Sequence, residues 1–316
     1  MKRSKKISVL TSLYNCEIFL QHYFHAIAMI EGKEQIEVLL LHNAPTEKEL
    51  AIITDHLPAL DFIRHIIIPE RETLYRTWNR GIQLSEGEYV TVWNVDDVRF
   101  PDSIIQQADA LDKNPQAAIA YGDIWVSRQY GVCGMKKTNS PVFNLSTRKK
   151  FLSEYHMSCF QMWRKSIHST VGYYDEQFKC IADLDFQIRT ALHFPFVKTI
   201  EPLGIYLEDQ PHKLSANGLQ PLERNSICLR YANYFSMNLF LLPLTKKKYQ
   251  QNRMLIFDEW KEFSEKPPFG WFYKILGIFC ACFSSIYWLC RQIAKKIFCQ
   301  IFKNQKNVDY NFYCNI

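Results

Sequence analysis

A chain of 316 residues that is 47% hydrophobic and 15% aromatic can bury one large α/β core plus an appendage, which excludes wholesale disorder. The net charge of +6 is unevenly spread: residues 1–243 hold 26 Lys+Arg against 27 Asp+Glu, whereas residues 244–316 hold 12 against 5. That basic end suits an anionic surface, and its wealth of Phe, Ile, Trp and Cys excludes a solvated nucleic-acid arm.

The basic start, Met1 to Lys6, faintly imitates a secretory leader, but Ser8, Thr11 and Ser12 interrupt the apolar stretch and no small-residue cleavage site follows. A first strand is therefore expected at 7–13. Further strand-length apolar runs lie at 36–41, 62–68, 89–93 and 117–126. Between them, helical periods occupy 16–30, 46–56, 73–84 and 102–111. This alternation predicts a mostly parallel sheet with crossover helices. Unbroken apolar strands such as Val38-Leu39-Leu40-Leu41 suit a sheet covered on both faces. Residues 127–150, with Gly131, Gly134, Pro141 and Arg148-Lys149-Lys150, read as a polar loop. An apolar stretch at 157–163, a helix at 183–192, strands at 196–200 and 204–207, and a loop at 208–218 follow. The expected domains are a catalytic unit over 1–218, a helical extension over 219–268 and a basic, hydrophobic tail over 269–316. The ten cysteines contain no C-x-x-C pair, and Cys280, Cys282, Cys290 and Cys299 share one apolar run. They read as reduced hydrophobes of a cytoplasmic protein.

The densest chemical signal is Asn94-Val95-Asp96-Asp97, directly after the fourth apolar run at 89–93. Adjacent carboxylates at the end of a buried strand are costly unless a positive charge meets them. A hard divalent cation does so with oxygen ligands, and ligands of open α/β sheets bind outside the carboxyl ends of the strands. The alternative is a nearby helix N-terminus, opened by Pro101, Asp102 and Ser103. The only glycines between the first strand and the end of the third helix are Gly32 and Gly81, so no glycine-rich phosphate loop is possible there. If the chain holds a nucleoside diphosphate, a cation on Asp96 and Asp97 is the available counter-charge.

Five blocks in order resemble an inverting family 2 glycosyltransferase of the GT-A fold over roughly residues 6–218. They are Ser8 to Asn15; Glu37 to Asn43; Asn79-Arg80-Gly81 leading through Gly87-Glu88-Tyr89 to Asp97; Trp163 through Gly172–Phe178 to Ala182–Arg189; and Tyr206 through His212-Lys213-Leu214-Ser215. The resemblance implies a donor site of Tyr14, Asn15, Asn43, Arg80, Asn94 and Asp96, with Asn43 reading the base. It implies Mg²⁺ or Mn²⁺ on Asp97 and Asp96, with His212 as a further ligand or a lid over the diphosphate. Asp183 matches the general base, while Trp163 and Asp185 stand on the acceptor side. Other readings remain open. Asp183 and Asp185 would charge a helix N-terminus, Asn15 would cap the first helix, His212 would be an ordinary loop residue, and Trp163 would belong to the core. The chain departs from the family pattern at His42-Asn43, where two acids are usual, at Asn94, and at Ala182. It has no Gln-x-x-Arg-Trp motif, so single-sugar transfer is expected.

Residues 271–290 are long and apolar enough to suggest a membrane span, but Arg291, Lys295, Lys296, Lys303 and Lys306 follow. A simple crossing would then leave the nucleotide-using domain outside. An amphipathic helix lying on the inner face of the cell membrane avoids that, the alternatives being a single span or a helix packed on the domain. The expected function is metal-dependent, inverting transfer of one sugar, from a nucleotide-diphosphate donor such as a UDP-sugar. The acceptor would be a hydroxyl of a glycan or lipid-linked molecule in surface polysaccharide assembly. The competing readings are a non-catalytic nucleotide- or sugar-binding module and a membrane scaffold; nucleic acid is not an expected partner.

Overall fold

The computed structural model describes residues 6–130, 132, 136–140, 142–143, 157, 159–208, 218–231, 249–250 and 252–262. The first half alternates as the apolar pattern predicts: β1 (Ile7–Leu13), α1 (Glu17–Ala28), β2 (Ile36–Asn43), α2 (Glu47–His56), β3 (Ile63–Ile68), α3 (Leu74–Leu84), β4 (Tyr89–Val92), β5 (Val98–Arg99) and α4 (Ser103–Lys113). Then come β6 (Ile119–Tyr121), β7 (Trp125–Ser127), β8 (Lys136–Lys137), β9 (Met162–Arg164), a short α5 (His168–Val171), α6 (Ala182–His193), β10 (Phe196–Lys198) and β11 (Gly204–Leu207). Helix α7 (Gln220–Arg230) and a hairpin, β12 (Arg253–Ile256) with β13 (Glu259–Glu262), complete the described residues.

The main sheet runs β10-β6-β9-β4-β1-β2-β3. Strands β4, β1, β2 and β3 are parallel neighbours, whereas β9 runs antiparallel between β4 and β6. Every residue of β2 is buried, because successive side chains serve opposite faces. Val9, Val38 and Leu40 meet Leu20, Tyr23 and Phe24 of α1 and Ile104 of α4. Leu10, Leu39 and Leu41 meet Trp78 and Ile82 of α3 and Phe186 of α6. Gly81 brings α3 this close: a Cβ there would stand 2.6 Å from the Leu41 Cδ1.

Three expectations need correction. The run 117–126 is two strands in different sheets, β6 in the main one and β7 in the small sheet β5-β11-β7-β8. The chain breaks at Gly122, where a Cβ would lie 2.2 Å from the Thr199 Oγ1. The extension is not simply helical, since residues 253–262 form an antiparallel hairpin turned by Phe257 and Asp258, both at positive φ. Asn15 does not cap α1 either. Cys16 holds the N-cap position and Asn15 adopts a left-handed φ of 47°. Among the described residues no helix is long and apolar enough to cross a membrane; residues 271–290 lie outside them.

Candidate active site at the carboxyl edge of the sheet

Strand β4 ends at Val92, and the chain turns so sharply that Asp97 N–H donates to the Asn94 carbonyl at 3.1 Å. The Trp93 indole N–H secures the turn from inside, donating to the Asp97 carbonyl at 3.0 Å. One residue later the chain enters β5 of the small sheet, so Asp97 sits where the two sheets part. Its side chain is almost wholly buried, at 1% exposure. The Asp97 Oδ1 accepts the Leu207 N–H of β11 at 3.2 Å, and Oδ2 faces the Asn94 amide nitrogen at 3.4 Å. Asp96 and Asn94 are half-buried beside it. Burial, helped by the charges of Asp97 and Asp96, pushes the Tyr130 hydroxyl up to about 12, so both carboxylates act on that one ring. Arg99, behind the turn, is buried and bonded to Thr91, Val92 and Gln107, and burial pushes it down to about 10 despite the field of Asp97.

Oxygen donors alone, on a buried carboxylate and a half-buried neighbour, suit a hard cation better than zinc or copper. The residues therefore fit Mg²⁺ or Mn²⁺, with two protein carboxylates. Among the described residues no group of three His, Cys, Asp or Glu side chains gathers for a metal; His212 lies outside them.

The donor-side residues collect around the loop between β3 and α3. The Arg71 guanidinium lies 4.0 Å from the centre of the Tyr14 ring, and its Nη1 donates to the Tyr14 hydroxyl at 3.3 Å. Tyr14 is 37% exposed, as an aromatic platform must be, and Asn15 beside it is exposed. Asn43 differs from expectation. It is buried, its Oδ1 accepts the Glu72 N–H at 3.0 Å, and its amide nitrogen donates to the Thr77 hydroxyl at 3.1 Å. It holds the loop against the end of β2 instead of offering a free base-reading edge. Arg80 turns to the Glu72 carboxylate through Nε and Nη2 and braces the loop.

A buried carboxylate, unforeseen in the sequence, ties the first two strand ends together. Glu49 accepts the backbone N–H of Cys16 at 2.8 Å and of Thr46 at 3.0 Å, and meets the His42 Nε2 at 3.3 Å. Burial would push this carboxyl up, but those N–H donors hold it at about 2. His42 in turn contacts the His65 Nε2 at 3.0 Å, and burial lowers both imidazoles.

The candidate base arrives on α6. The Asp183 Oδ1 accepts its neighbour's N–H, from Leu184, at 3.0 Å and the Tyr75 hydroxyl at 3.2 Å. Tyr75 opens α3 at the carboxyl end of β3, so this bond brings Asp183 to the edge that carries Tyr14 and Asn43. Burial and then the charge of Asp183 raise the Tyr75 and Tyr174 hydroxyls well above the usual range. The Tyr174 hydroxyl is buried with no hydrogen-bond partner among the described residues.

Neither acceptor-side residue belongs there. Trp163 is 0% exposed, inside β9, edge-on to Tyr174 and Phe186, with its N–H donated to the His168 Nε2 at 2.9 Å. Asp185 is also 0% exposed and accepts from Arg189 at 2.8 Å, Arg230 at 2.7 Å and Tyr231 at 2.8 Å. Burial would push its carboxyl up, yet Arg189 and Arg230 keep it below the usual carboxylate range.

The model of the Glycosyl transferase family 2 domain matches residues 8–172, half of the chain. The chain belongs to that family. A PGL/p-HBAD biosynthesis glycosyltransferase of Mycobacterium tuberculosis is 25% identical over 160 residues, covering 48% of this chain and 57% of the relative. The chain thus spans little more than half of that relative's length. S. aureus TarS residues 1–349, solved with UDP-GlcNAc, superposes with a TM-score of 0.59 at 17% identity, over 72% of this chain and 65% of TarS. A mannosyltransferase of Pyrobaculum calidifontis, solved with GDP-Man and Mn²⁺, gives 0.50 at 12% identity, over 71% of this chain and 62% of its own. At these identities the two structures share the GT-A-like fold, a mixed and mostly parallel sheet under crossover helices. The match ends at Gly172, so Asp183 lies beyond the family model, whereas its partner Tyr75 lies within it.

Proposed function

We propose that the chain is a metal-dependent, inverting glycosyltransferase that moves one sugar from a UDP-linked donor to a hydroxyl of a glycan or lipid-linked acceptor. The observation that carries this reading is the buried Asp97 at the end of β4, beside Asp96. The Tyr75 bond that brings Asp183 to the same edge adds the base. TarS with UDP-GlcNAc supports the choice of donor, and the Mn²⁺ complex of the archaeal mannosyltransferase supports the metal.

Tyr14, backed by Arg71, offers its ring to the nucleobase. Asn15, Asn94 and Asp96 line the way to the diphosphate. Asp97 and Asp96 would hold Mg²⁺ or Mn²⁺, whose charge offsets the departing diphosphate when it is bound. Asp183 takes the proton of the acceptor hydroxyl as its oxygen forms a bond to the anomeric carbon. The bond from that carbon to the diphosphate oxygen breaks on the opposite face, and the configuration inverts. A screen of nucleotide sugars with divalent cations, read as transfer or slow hydrolysis, tests the reading. Turnover of a UDP-sugar supports it, and no turnover or binding of any nucleotide sugar overturns it.

The basic, apolar tail supports peripheral attachment to the cytoplasmic face of the membrane, although residues 269–316 lie outside the described ones. Removing them is expected to release the protein from liposomes of anionic lipid; a truncated chain that still sediments with them contradicts the attachment.

A further inference from the structure

Helix α6 begins without a cap of its own. Its N-cap residue is Ile181, which has no side-chain oxygen to offer the open N–H groups. A carboxylate of α7, 42 residues later, instead grips the N-cap residue and the two residues before it. The Glu223 carboxylate, 0% exposed, accepts three consecutive backbone N–H groups: Lys179 at 2.7 Å, Cys180 at 2.8 Å and Ile181 at 3.2 Å. The Tyr249 hydroxyl adds a fourth donor at 3.3 Å. Seven residues on, and so two turns along the same face of α7, Arg230 grips the other side of the base. Its Nη1 donates to Asp185 at 2.7 Å and its Nη2 to Asp175 at 2.9 Å. One helix thus fixes the chain two residues before Asp183 and two residues after it, with an anion at one end and a cation at the other.

We infer that α7 is part of the catalytic apparatus, and that Glu223 and Arg230 are positioning residues that set the place of the Asp183 carboxylate. The inference rests on the reading of Asp183 as the base. Neither side chain reaches the edge itself, because both are buried and bonded inside. Their effect is on the register of the first turn of α6. An in-line proton transfer is sensitive to that register, since a misplacement of about 1 Å costs on the order of 10²-fold in rate. The Glu223→Gln substitution puts an NH₂ group against N–H donors and loosens one side of the clamp. Arg230 anchors two buried carboxylates and is less suited to a clean test.

The experiment compares wild type, Glu223→Gln, Glu223→Asp and Asp183→Asn, with kcat normalised to the number of UDP sites titrated in the presence of Mn²⁺. The expected result for Glu223→Gln is a kcat lowered about 10-fold or more per UDP site, with the donor KM unchanged. The aspartate variant keeps the charge but withdraws it by one methylene, and should fall between the two; it also decides the matter if the glutamine variant does not fold. A purely structural role would lower the number of UDP sites and leave kcat per site unchanged, which would overturn the inference. If Asp183→Asn is as active as wild type, the reading of the base fails instead, and the two failures are told apart.

Discussion

Around Asp97 the chain organises itself largely over a few residues: strand β4, a turn closed by Asn94, and β5, with longer-range ties from Leu207, Tyr130 and the pairing of β5 with β11. Around Asp183 almost nothing is local. Tyr75 approaches from α3, Glu223 and Arg230 from α7, and the hairpin of residues 253–262 seats on Asp175 and Glu176, whose side chains accept the N–H groups of Leu255 and Phe257. The difference shows how one edge of a sheet is divided between two kinds of construction. The proposed donor side needs a strand end and a short turn, because a cation is a compact charge that two adjacent acids can meet. A base in the proposed reaction must stand at a set distance from a second substrate, and the buried ion pairs that span the chain are the groups we infer to fix it.

The comparison can be broken at its strongest points first. Asp97→Ala is expected to abolish transfer and cation-dependent donor binding, with a fold that melts close to wild type. Next, Asp183→Asn should cost at least ~10²-fold in kcat while UDP affinity, measured calorimetrically, stays within a factor of two. Near-normal turnover would remove Asp183 from the chemistry. A third cut falls on the scaffold of the base side. Arg230→Met leaves Asp175 and Asp185 buried without that partner and should cost about 3–5 kcal/mol of stability in urea. An unchanged midpoint would mean that the clamp holds nothing.

The smallest effect is a pH slope. Burial, against a hydrogen bond to the Gly172 carbonyl, pushes the His168 imidazole down from 6.5 to about 4. In the folded chain the ring stays neutral, Nδ1–H directed at that carbonyl at 2.9 Å and Nε2 accepting from Trp163. The unfolded chain takes up the proton first, so this contribution is present in full above pH 6.5 and is lost as the pH falls toward about 4. His42 and His65, also lowered by burial, act with the same sign. His168→Gln should flatten the fall of the melting temperature between pH 6.5 and 4.5; an unaltered slope would show that the ring does not govern it.

What could be read in the sequence follows the same division. The alternation from β1 to α4 rests on local periodicity, and Asp96 and Asp97 stand out as acids placed directly after an apolar strand. Asp183 and Asp185 look alike in the sequence, two acids in the first turn of one helix. Arg230 and Tyr231, 45 and 46 residues away, join Arg189 one turn on in making one of them a buried structural group. Trp163 is ambiguous for a similar reason, since an aromatic residue near a site reads equally as core or as a stacking surface until its partners His168 and Phe186 are known. Asn43 and Arg80 kept their neighbourhood but changed task, both turning to the 71–73 loop, which no motif marks. Glu223 carries no local signal at all, because the N–H groups it meets belong to a different element.

The central claim is that Asp97, with Asp96, seats a divalent cation that a nucleoside diphosphate requires. Isothermal titration of UDP into wild type and Asp97→Ala, each with Mn²⁺ and with EDTA, tests it most directly. UDP should bind the wild type with Mn²⁺, lose that binding with EDTA, and fail to bind the variant under both conditions. Equal UDP affinity in all four titrations would contradict it.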